Sequence, residues 1–502
     1  MNYLRIEGVN HAHCIDDTED LSTRRGGGLM LLNATDQVEQ ALKGLATPIS
    51  TGASVGLFRL TATAQVEDAY AKARHVLNGE VFRTGTFMLS GSTSEDFGTA
   101  RPCAINAARW QQMQRLSFST AGLKPTQAGA CKVDRVRPVA SWRTVGGEAD
   151  TGVSLSVAER RHYGNQMKQR FYRRELDALP EAARPAWRDE DLRYTHTFEE
   201  LSCGPRHPAD SHLDGKIAVF YADGNSFGAK VAACTTPEAL TTWEGFLKKR
   251  RRRFLARLIE RARRDARWQN AGEIRLETPL WGGDEFMLIV PAWCGFELAQ
   301  LFLDEVADLH YPEADRTDAS RLTHACGLVL CSHRTPISHI AALAKRLADQ
   351  GKQDGKAHDS LNWLVLESLD HAGDSLGQYL KQRFPERDDM TWKALALDRQ
   401  TLGILREKLP RLKAELPRGA ITRAARMLAA GESVEHALLK ASYQQVDAAM
   451  KDGRREPWIA LWKVLHPAGS EAVWPAAPAT ADLPAWIKLL ETWDYVVEGG
   501  QA

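Results

Sequence analysis

Residues 280 to 290 read Leu-Trp-Gly-Gly-Asp-Glu-Phe-Met-Leu-Ile-Val. An apolar flank on each side of a Gly-Gly pair is typical of a tight turn between two buried strands. Gly282 and Gly283 tolerate positive φ and carry no side-chain bulk, so a polyanionic ligand can approach the backbone closely there. Asp284 and Glu285 follow at the tip of the predicted hairpin, where two adjacent carboxylates would face a metal ion.

A second segment lies upstream, where residues 217 to 228 read Ile-Ala-Val-Phe-Tyr-Ala-Asp-Gly-Asn-Ser-Phe-Gly. The pattern predicts an apolar strand that ends at Asp223 and continues into a glycine-containing loop. The backbone N–H groups of that loop, together with a helix predicted to begin near Ala229, would form a cradle for a triphosphate. The candidate nucleotide-binding residues are therefore Gly224, Asn225, Ser226, Phe227, Gly228, Gly282 and Gly283.

The two segments together predict a metal site of the kind that nucleotidyl transfer requires. Mg²⁺ or Mn²⁺ is usually held by one or two carboxylates and by the phosphates of the substrate. We expect Asp223, Asp284 and Glu285 to be the catalytic residues and metal ligands, and Ala222 is included in the metal-binding set. Two such ions would lower the pKa of an attacking ribose hydroxyl and neutralise the pyrophosphate leaving group. The alternative is a hairpin turn and a strand end whose acids are merely solvated.

Three segments resemble one protein family. Residues 221 to 228 are similar to that family's Asp-Gly-x-x-x-Gly strand end, and the Gly-Gly-Asp-Glu hairpin is similar to a hairpin in which the family more often has two aspartates after the glycines. Residues 322 to 333, followed by Thr335-Pro336-Ile337, are similar to the strand and the Pro-Ile helix start that come after that hairpin. The chain thus resembles a GGDEF-type palm, and more closely the polymerase/cyclase palm of the large subunit of type III CRISPR effector complexes. The resemblance implies a cyclic oligoadenylate product made from ATP.

The amino-terminal part resembles the other palm of that family. Residues 17 to 28 are similar to its opening loop, and residues 49 to 60 correspond to its hairpin. That hairpin carries no acidic pair, so this palm would be degenerate and would help to bind the second nucleotide. In the second palm, Lys352 and Lys356 follow the last predicted helix, near where GGDEF-type enzymes place a lysine on the triphosphate, so the resemblance makes Lys352 the candidate.

Two departures from the family bear on the function. No His-Asp nuclease segment precedes the first palm, and the chain is shorter than the full CRISPR subunits, so a stand-alone signalling synthase for antiviral defence fits at least as well as a subunit of an RNA-guided complex. RNA and CRISPR effector subunits remain possible partners. Diguanylate or mononucleotide cyclase is the alternative enzyme, although the Arg-x-x-Asp that usually precedes the hairpin is absent from residues 277 to 280. The remaining alternative is a catalytically silent structural or RNA-binding subunit.

The predicted fold class is α+β, with two ferredoxin-like palm domains, an insertion and a carboxy-terminal helical bundle. We expect a degenerate palm over residues 1–98, the insertion over 99–210, the catalytic palm over 211–370 and the bundle over 371–502. Periodicity predicts strands over 3–9, 54–60, 81–89, 323–331 and 361–366, and helices over 36–45, 66–77, 157–179, 295–309 and 337–350. The tryptophans near the carboxyl end, Trp458, Trp462, Trp474, Trp486 and Trp493, are expected to be core residues.

The composition indicates a cytoplasmic protein. The chain has 502 residues and a net charge of +1, and no stretch approaches the ~20 apolar residues that cross a bilayer. Its eight cysteines fit reduced thiols better than a disulfide framework. The candidate ligands for a zinc ion are Cys103, Cys131, Cys203 and His207. Because the sequence has no C-x-x-C pair, we expect these cysteines to be ordinary buried thiols instead.

Positive charge is concentrated between the two halves of the predicted metal site. Residues 248 to 253 read Lys-Lys-Arg-Arg-Arg-Arg, and further arginines follow up to Arg267 on a segment with helical spacing of apolar residues. This basic segment would steer ATP, hold an oligonucleotide product or contact an RNA backbone. Its alternative is a solvated helix face.

Overall fold

The computed structural model describes residues 1–52, 54–114, 116, 119, 121–124, 128–184, 192–204, 208–312, 320–367, 375–431, 436–450, 453–466, 474 and 479–497. The chain divides into two compact units, each assembled from separate ranges. The first unit comprises residues 1–197, 226–257 and 278–287, and the second comprises residues 198–225, 258–277 and 288–502.

The amino-terminal part of the first unit is a four-stranded sheet covered by helices. Its elements are β1 (Asn2–Val9), α1 (Leu21–Ala41), β2 (Ala46–Gly52), β3 (Val55–Leu60), α2 (Val66–Leu77) and β4 (Thr86–Thr93). The strand order is β2-β3-β1-β4, and β1 runs antiparallel to both of its neighbours. Leu4, Ile6 and Phe58 from the sheet pack with Met30 and Val38 of α1 in one buried core.

The predictions for this sheet are partly confirmed. The first strand, the hairpin over residues 49–60 and the helix over 66–77 are found where they were expected. The helix predicted over 36–45 is wrong at its start, because α1 begins at Leu21. The strand predicted over 81–89 is displaced to Thr86–Thr93. Glycines and arginines at the start of α1 carry no apolar period, which is why periodicity did not reveal that part of the helix.

The insertion contributes a hairpin and a long helix. The elements are α3 (Phe97–Gln114), β5 (Ser141–Val145), β6 (Glu148–Val153), α4 (Leu155–Asp177) and β7 (Arg193–Tyr194). The turn between β5 and β6 uses Gly146 and Gly147, both at positive φ. Ser154 caps α4, since its hydroxyl accepts a hydrogen bond from the Val157 N–H. The predicted charged helix over 157–179 is thus confirmed with a small shift.

Helices α1 and α4 pack closely because glycines lie at their contact. A Cβ added to Gly26 would lie 1.7 Å from the Arg160 carbonyl oxygen, and one added to Gly164 would lie 2.4 Å from the Ser22 carbonyl oxygen. The expectation that residues 17–28 form a loop is therefore wrong from Leu21 onward. Asp20 ends the loop, because its carboxylate accepts the Thr23 N–H at 2.9 Å and caps the helix.

The segment after the insertion contains the two candidate motifs. Its elements are α5 (Phe198–Ser202), β8 (Lys216–Gly224), α6 (Phe227–Ala233), α7 (Pro237–Arg264), β9 (Gln269–Asn270), β10 (Glu273–Ile274), β11 (Glu277–Gly282), β12 (Glu285–Pro291), α8 (Gly295–Val306), β13 (His310–Tyr311), β14 (Ser320–Arg321), β15 (His324–Ser332), α9 (Ile337–Asp354) and β16 (Ser360–Val365). The strand order is β11-β12-β8-β15-β16, with β15 antiparallel to β8 and parallel to β16. The predicted hairpin and the predicted elements over 295–366 are confirmed.

The carboxy-terminal part is helical, as predicted. Its helices are α10 (Leu376–Arg383), α11 (Trp392–Leu395), α12 (Arg399–Leu412), α13 (Arg418–Ala429), α14 (His436–Ala449), α15 (Arg455–Leu465) and α16 (Leu483–Thr492). The five tryptophans are buried; three of them, Trp462, Trp474 and Trp486, contact the Tyr443 ring, and Trp458 packs against Trp474. Their role as core residues is confirmed. Across the described parts of the chain, none of the helices is both long enough and apolar enough to cross a membrane.

Candidate active site

Asp223 stands at the end of a buried strand. Residues Ile217 to Ala222 of β8 are buried, whereas the Asp223 side chain keeps 16% of its surface exposed. Asp223 lies opposite Ala325 of β15, and Ala222 lies opposite Cys326. The register of a central strand therefore fixes where this carboxylate leaves the sheet.

Lys352 is paired with Asp223. Its Nζ donates a hydrogen bond of 2.5 Å to Asp223 Oδ2, and its side chain is 22% exposed. Lys352 lies in the last turn of α9, the helix that packs on β8 and β15. A charge-assisted bond of this length between half-buried groups gives the carboxylate a fixed counter-ion. Sequence reasoning selected both residues but did not anticipate that they contact each other.

The loop after Asp223 is fixed by hydrogen bonds to the start of β15. Asn225 donates from its backbone N–H to the Thr323 carbonyl at 2.8 Å and from Nδ2 to the Thr323 hydroxyl at 3.0 Å. Gly224 and Asn225 are buried. Among the described residues, nothing donates to the buried Asn225 Oδ1. An oxygen with unused lone pairs thus remains two residues after the strand-end carboxylate.

The chain turns sharply before α6. Ser226 has φ 61°, in the left-handed region, and α6 begins at Phe227 rather than near Ala229. The Phe227 ring is buried edge-on against Trp243, with ring centroids 5.3 Å apart, which is a packing position. Gly228 is exposed, and a Cβ added there would meet nothing within 4 Å. Open space therefore surrounds this part of the predicted phosphate loop.

An arginine of α7 binds the backbone of the Gly-Gly-Asp-Glu turn. Gly282 is buried at the end of β11, and Gly283 has φ 48° in the turn. Arg251 of α7 donates from Nη1 to the Gly283 carbonyl at 2.7 Å, and its guanidinium lies 5.0 Å from the centre of the Trp281 ring. Asp284 and Glu285 are half-buried in this turn. Burial lowers the pKa of Arg251, since little of the guanidinium reaches water.

Glu175 of α4 supports the same hairpin. Its Oε2 accepts hydrogen bonds from Trp281 Nε1 at 3.0 Å and from Arg252 Nε at 3.2 Å. Burial opposes ionisation of Glu175, but Arg252, Arg251 and Trp281 outweigh it and hold the pKa of the carboxyl below its usual value. Sequence reasoning missed Glu175 and the role of Arg251, because contacts between residues far apart in the chain leave no local pattern.

The candidate site residues are divided between the two compact units. Asp223, Ala222, Asn225 and Lys352 belong to the second unit, and residues 282–285 belong to the first unit. Within the described ranges, no three His, Cys, Asp or Glu side chains are grouped to hold a metal ion. The convergence of Asp223 with the hairpin acids stays a prediction.

The candidate zinc residues are placed separately. Cys103 is exposed on α3, Cys203 is half-buried just after α5, and His207 lies outside the described residues. Cys131 is buried, and its Sγ accepts the N–H groups of Val133 and Asp134, both at 3.4 Å. These contacts are those of an ordinary buried thiol.

The basic segment is engaged within the protein for much of its length. Lys248 donates to the Thr51 hydroxyl at 2.7 Å, and Arg261 donates to Glu297 at 2.6 Å. Arg267 bonds Asp265 and Glu297 and is buried. The exposed basic side chains of the segment are Lys249, Arg257, Arg263 and Arg264. Several of these charged side chains thus form hydrogen bonds or ion pairs within the protein. Neither of the two interpretations of the sequence predicted these contacts.

The chain is similar to known proteins in structure, whereas comparisons of its sequence find no match. No family model matches the chain, and no curated protein matches it. The solved structures that are similar to it include Csm1 and the Csm1-Csm4 cassette of type III CRISPR complexes. Csm1 from T. onnurineus has a TM-score of 0.54 and 15% identity over 99% of this chain and 70% of that chain.

Several of the similar cassette structures are complexes with nucleotides. The Csm1-Csm4 cassette in complex with cA4 has a TM-score of 0.53 and 12% identity, covering 98% of this chain and 70% of that chain. The cassette in complex with one ATP has a TM-score of 0.51 and 13% identity, covering 99% and 70%. At these identities the likeness establishes the fold of the chain.

Proposed function

We propose that this protein is a metal-dependent nucleotidyl cyclase that makes cyclic oligoadenylate from ATP in prokaryotic antiviral defence. The observation that carries the proposal is the pair of Asp223 and Lys352, a strand-end carboxylate and a helix-end lysine 2.5 Å apart. Nucleotidyl transfer requires both a carboxylate for a divalent ion and a cation for a phosphate. The pair presents both at one strand end.

The repeated topology supports two palm domains. In β1-α1-β2-β3-α2-β4 the strand order is β2-β3-β1-β4, and in β8-α7-β11-β12-α8-β15 it is β11-β12-β8-β15. Both are βαββαβ units with the same order, which is the arrangement of a ferredoxin-like palm. Only the second hairpin carries acids, so the first palm is the degenerate one in this proposal.

The residues present fit a divalent metal ion by their chemistry. Asp223, Asp284 and Glu285 offer carboxylate oxygens, and the unsatisfied Asn225 Oδ1 is a further oxygen donor. We assign the three acids as the ligands, together with Ala222, which precedes Asp223 on β8. Two Mg²⁺ or Mn²⁺ ions, when bound, would lower the pKa of the attacking ribose hydroxyl and neutralise the pyrophosphate leaving group.

The chain's own residues bind and orient the nucleotide in this proposal. Lys352 exchanges the Asp223 carboxylate for a phosphate oxygen, since an ammonium on a flexible stem serves as a movable point charge. Gly228 and Gly283 leave room for phosphates, because a Cβ at either position would meet open space. Arg251 holds the hairpin backbone by its bond to Gly283. No separate general base is needed.

Substrate and partners are assigned by likeness. One neighbouring structure contains ATP and another contains cA4, and both pair Csm1 with Csm4. We therefore favour ATP over GTP, cyclic oligoadenylate over a cyclic dinucleotide, and a Csm4-like partner subunit. A role in type III CRISPR defence belongs to the same proposal.

Incubating the purified protein with each labelled nucleoside triphosphate and Mn²⁺ tests the function. An ATP-derived cyclic product that disappears in Asp223→Ala and in the double variant Asp284→Ala/Glu285→Ala is the expected result. Lys356→Ala is the matched control for surface substitution. A product from GTP alone would identify a diguanylate or mononucleotide cyclase. Silence with all four nucleotides, combined with RNA binding, would identify a structural subunit and refute the proposal.

A further inference from the structure

The first unit contains a charged cavity that the proposed reaction does not use. The cavity has a volume of about 310 Å³ and is lined by α1, β2, α4 and α7. Five of its lining side chains are cationic and three are acidic, which leaves two positive charges in excess. Its volume lies within the ~300–1,000 Å³ range of small-molecule sites.

Two of the three acids of the cavity wall are already paired with arginines. Asp36 is paired with Arg174, and Glu175 is paired with Arg252. Glu39 is the third acid, and burial raises its pKa. The negative charge of the wall is therefore largely neutralised within the protein.

Two half-buried cations of the wall form no direct ion pair with any residue that the structure describes. Lys248 donates to the Thr51 hydroxyl, and no carboxylate forms an ion pair with it in the described part of the chain. Arg251 donates from Nη1 to a backbone carbonyl, and its buried Nε has no hydrogen-bond partner among the described residues. Burying a cation that has no direct ion pair is costly, and burial lowers the pKa of both side chains although nearby carboxylates oppose the shift, Glu244 and Asp36 for Lys248 and Glu175 and Glu244 for Arg251. A bound anion would remove that cost.

We propose that this cavity binds a phosphate-bearing anion, with Lys248 and Arg251 as its principal cationic contacts. A pyrophosphate group matches the wall, because ammonium and guanidinium groups are the usual partners of phosphate oxygens. Free pyrophosphate and the phosphate chain of a nucleotide share this chemistry.

Arg251 connects the cavity to the Gly-Gly-Asp-Glu turn. The same guanidinium lines the cavity and donates to the Gly283 carbonyl. An anion that draws Arg251 toward the cavity therefore weakens a bond that holds the turn. This consequence for catalysis rests on the proposed function, whereas the binding itself does not.

Calorimetric titration of the full-length protein with pyrophosphate, and separately with ADP, tests the site. EDTA is included so that binding through metal ions at the acidic residues is absent. We expect Lys248→Met to raise the Kd about ten-fold or more, because it removes a half-buried cation that faces the ligand. Lys249→Met is the matched control, since Lys249 is the next residue on α7, is exposed and does not line the cavity. Its Kd should equal that of the wild type.

A substitution that should strengthen binding distinguishes the loss of a contact from the loss of the fold. Glu39→Gln removes a negative charge from the wall and should lower the Kd about two-fold to three-fold. Tighter binding of pyrophosphate than of ADP would identify the free anion as the ligand, and the reverse would identify a nucleotide. Absence of binding in the wild type at millimolar probe would overturn the proposal, as would equal weakening in the Lys248 and Lys249 variants.

Hydrogen exchange of the peptide that spans residues 281–285 tests the connection to the turn. Pyrophosphate should increase exchange there in the wild type and leave it unchanged in Lys248→Met. Unchanged exchange in the wild type at saturating pyrophosphate would refute the connection, and it would leave the proposed cyclase activity to be decided by the nucleotide assay.

Discussion

Lys352 Nζ lies 2.5 Å from Asp223 Oδ2, so the end of α9 is tied to the end of β8 by an ion pair. Both side chains are partly exposed, at 22% and 16%, and water or a ligand can reach them. Ligand binding can therefore exchange the partners of this pair without opening the core. In the proposed reaction Asp223 would accept a metal ion while Lys352 turns to a phosphate.

Lys352→Met should raise the KM for ATP about ten-fold or more, because the variant loses the cation that contacts the phosphate chain in the proposed reaction. Lys352→Arg retains the positive charge and should recover part of the loss. Steady-state kinetics of cyclic product formation across ATP concentrations measures the effect. Lys356→Met is the control, since Lys356 lies on the exposed segment just after α9. An unchanged KM in Lys352→Met would contradict the assignment of Lys352.

Glu175→Gln should destabilise the first unit. The substitution removes the charge that compensates Arg252 and weakens the hydrogen bond to Trp281. Breaking a buried ion pair from one side costs up to about 3–5 kcal/mol, because Arg252, whose side chain is only 23% exposed, would keep its charge without a carboxylate partner. Urea unfolding followed by circular dichroism measures the change in the free energy of unfolding.

Glu238→Gln is the control for that measurement, since Glu238 forms an exposed ion pair with Arg59 and its loss should leave the unfolding midpoint unchanged. Equal midpoints for Glu175→Gln and the wild type would show that Glu175 does not support the hairpin.

The sequence predicted the elements with a strong local pattern. The apolar run of β8, the Gly-Gly turn and the amphipathic helices α2 and α9 were all recognisable, because period and turn chemistry are properties of neighbouring residues. The start of α1 was not, since its glycines disfavour a helix in isolation and are explained only by the contact with α4. The support of the hairpin by Glu175 and Arg251 is likewise a property of tertiary packing.

Gly26→Ala should destabilise the first unit by more than about 3 kcal/mol, because the added methyl group would lie 1.7 Å from the Arg160 carbonyl oxygen and would push α1 and α4 apart. Gly228→Ala is the matched control. Its methyl group would meet nothing within 4 Å, and within α6 the change should stabilise by about 0.5–1 kcal/mol. Thermal unfolding of both variants measures the difference, and a Gly26→Ala protein as stable as the wild type would refute the tight helix contact.

Lys488 should make the stability of the helical region depend on pH above 8. The side chain is buried, its Nζ donates to the Leu465 carbonyl at 3.0 Å, and burial lowers its pKa from 10.5 to about 8. Between pH 8 and 10.5 the unfolded chain binds more protons at this site than the folded chain, so its contribution to stability rises with pH by up to ~3 kcal/mol. Below pH 8 both states are protonated, and the contribution no longer changes.

Lys488→Met isolates this contribution, because methionine keeps the apolar stem and cannot titrate. The variant should be more stable than the wild type at pH 7, and the difference should shrink steadily as pH approaches 10. Urea unfolding of both proteins at several pH values measures the difference, which also cancels the titration of every other group. A difference that stays constant between pH 7 and 10 would mean that Lys488 has an ordinary pKa and that water reaches its ammonium group.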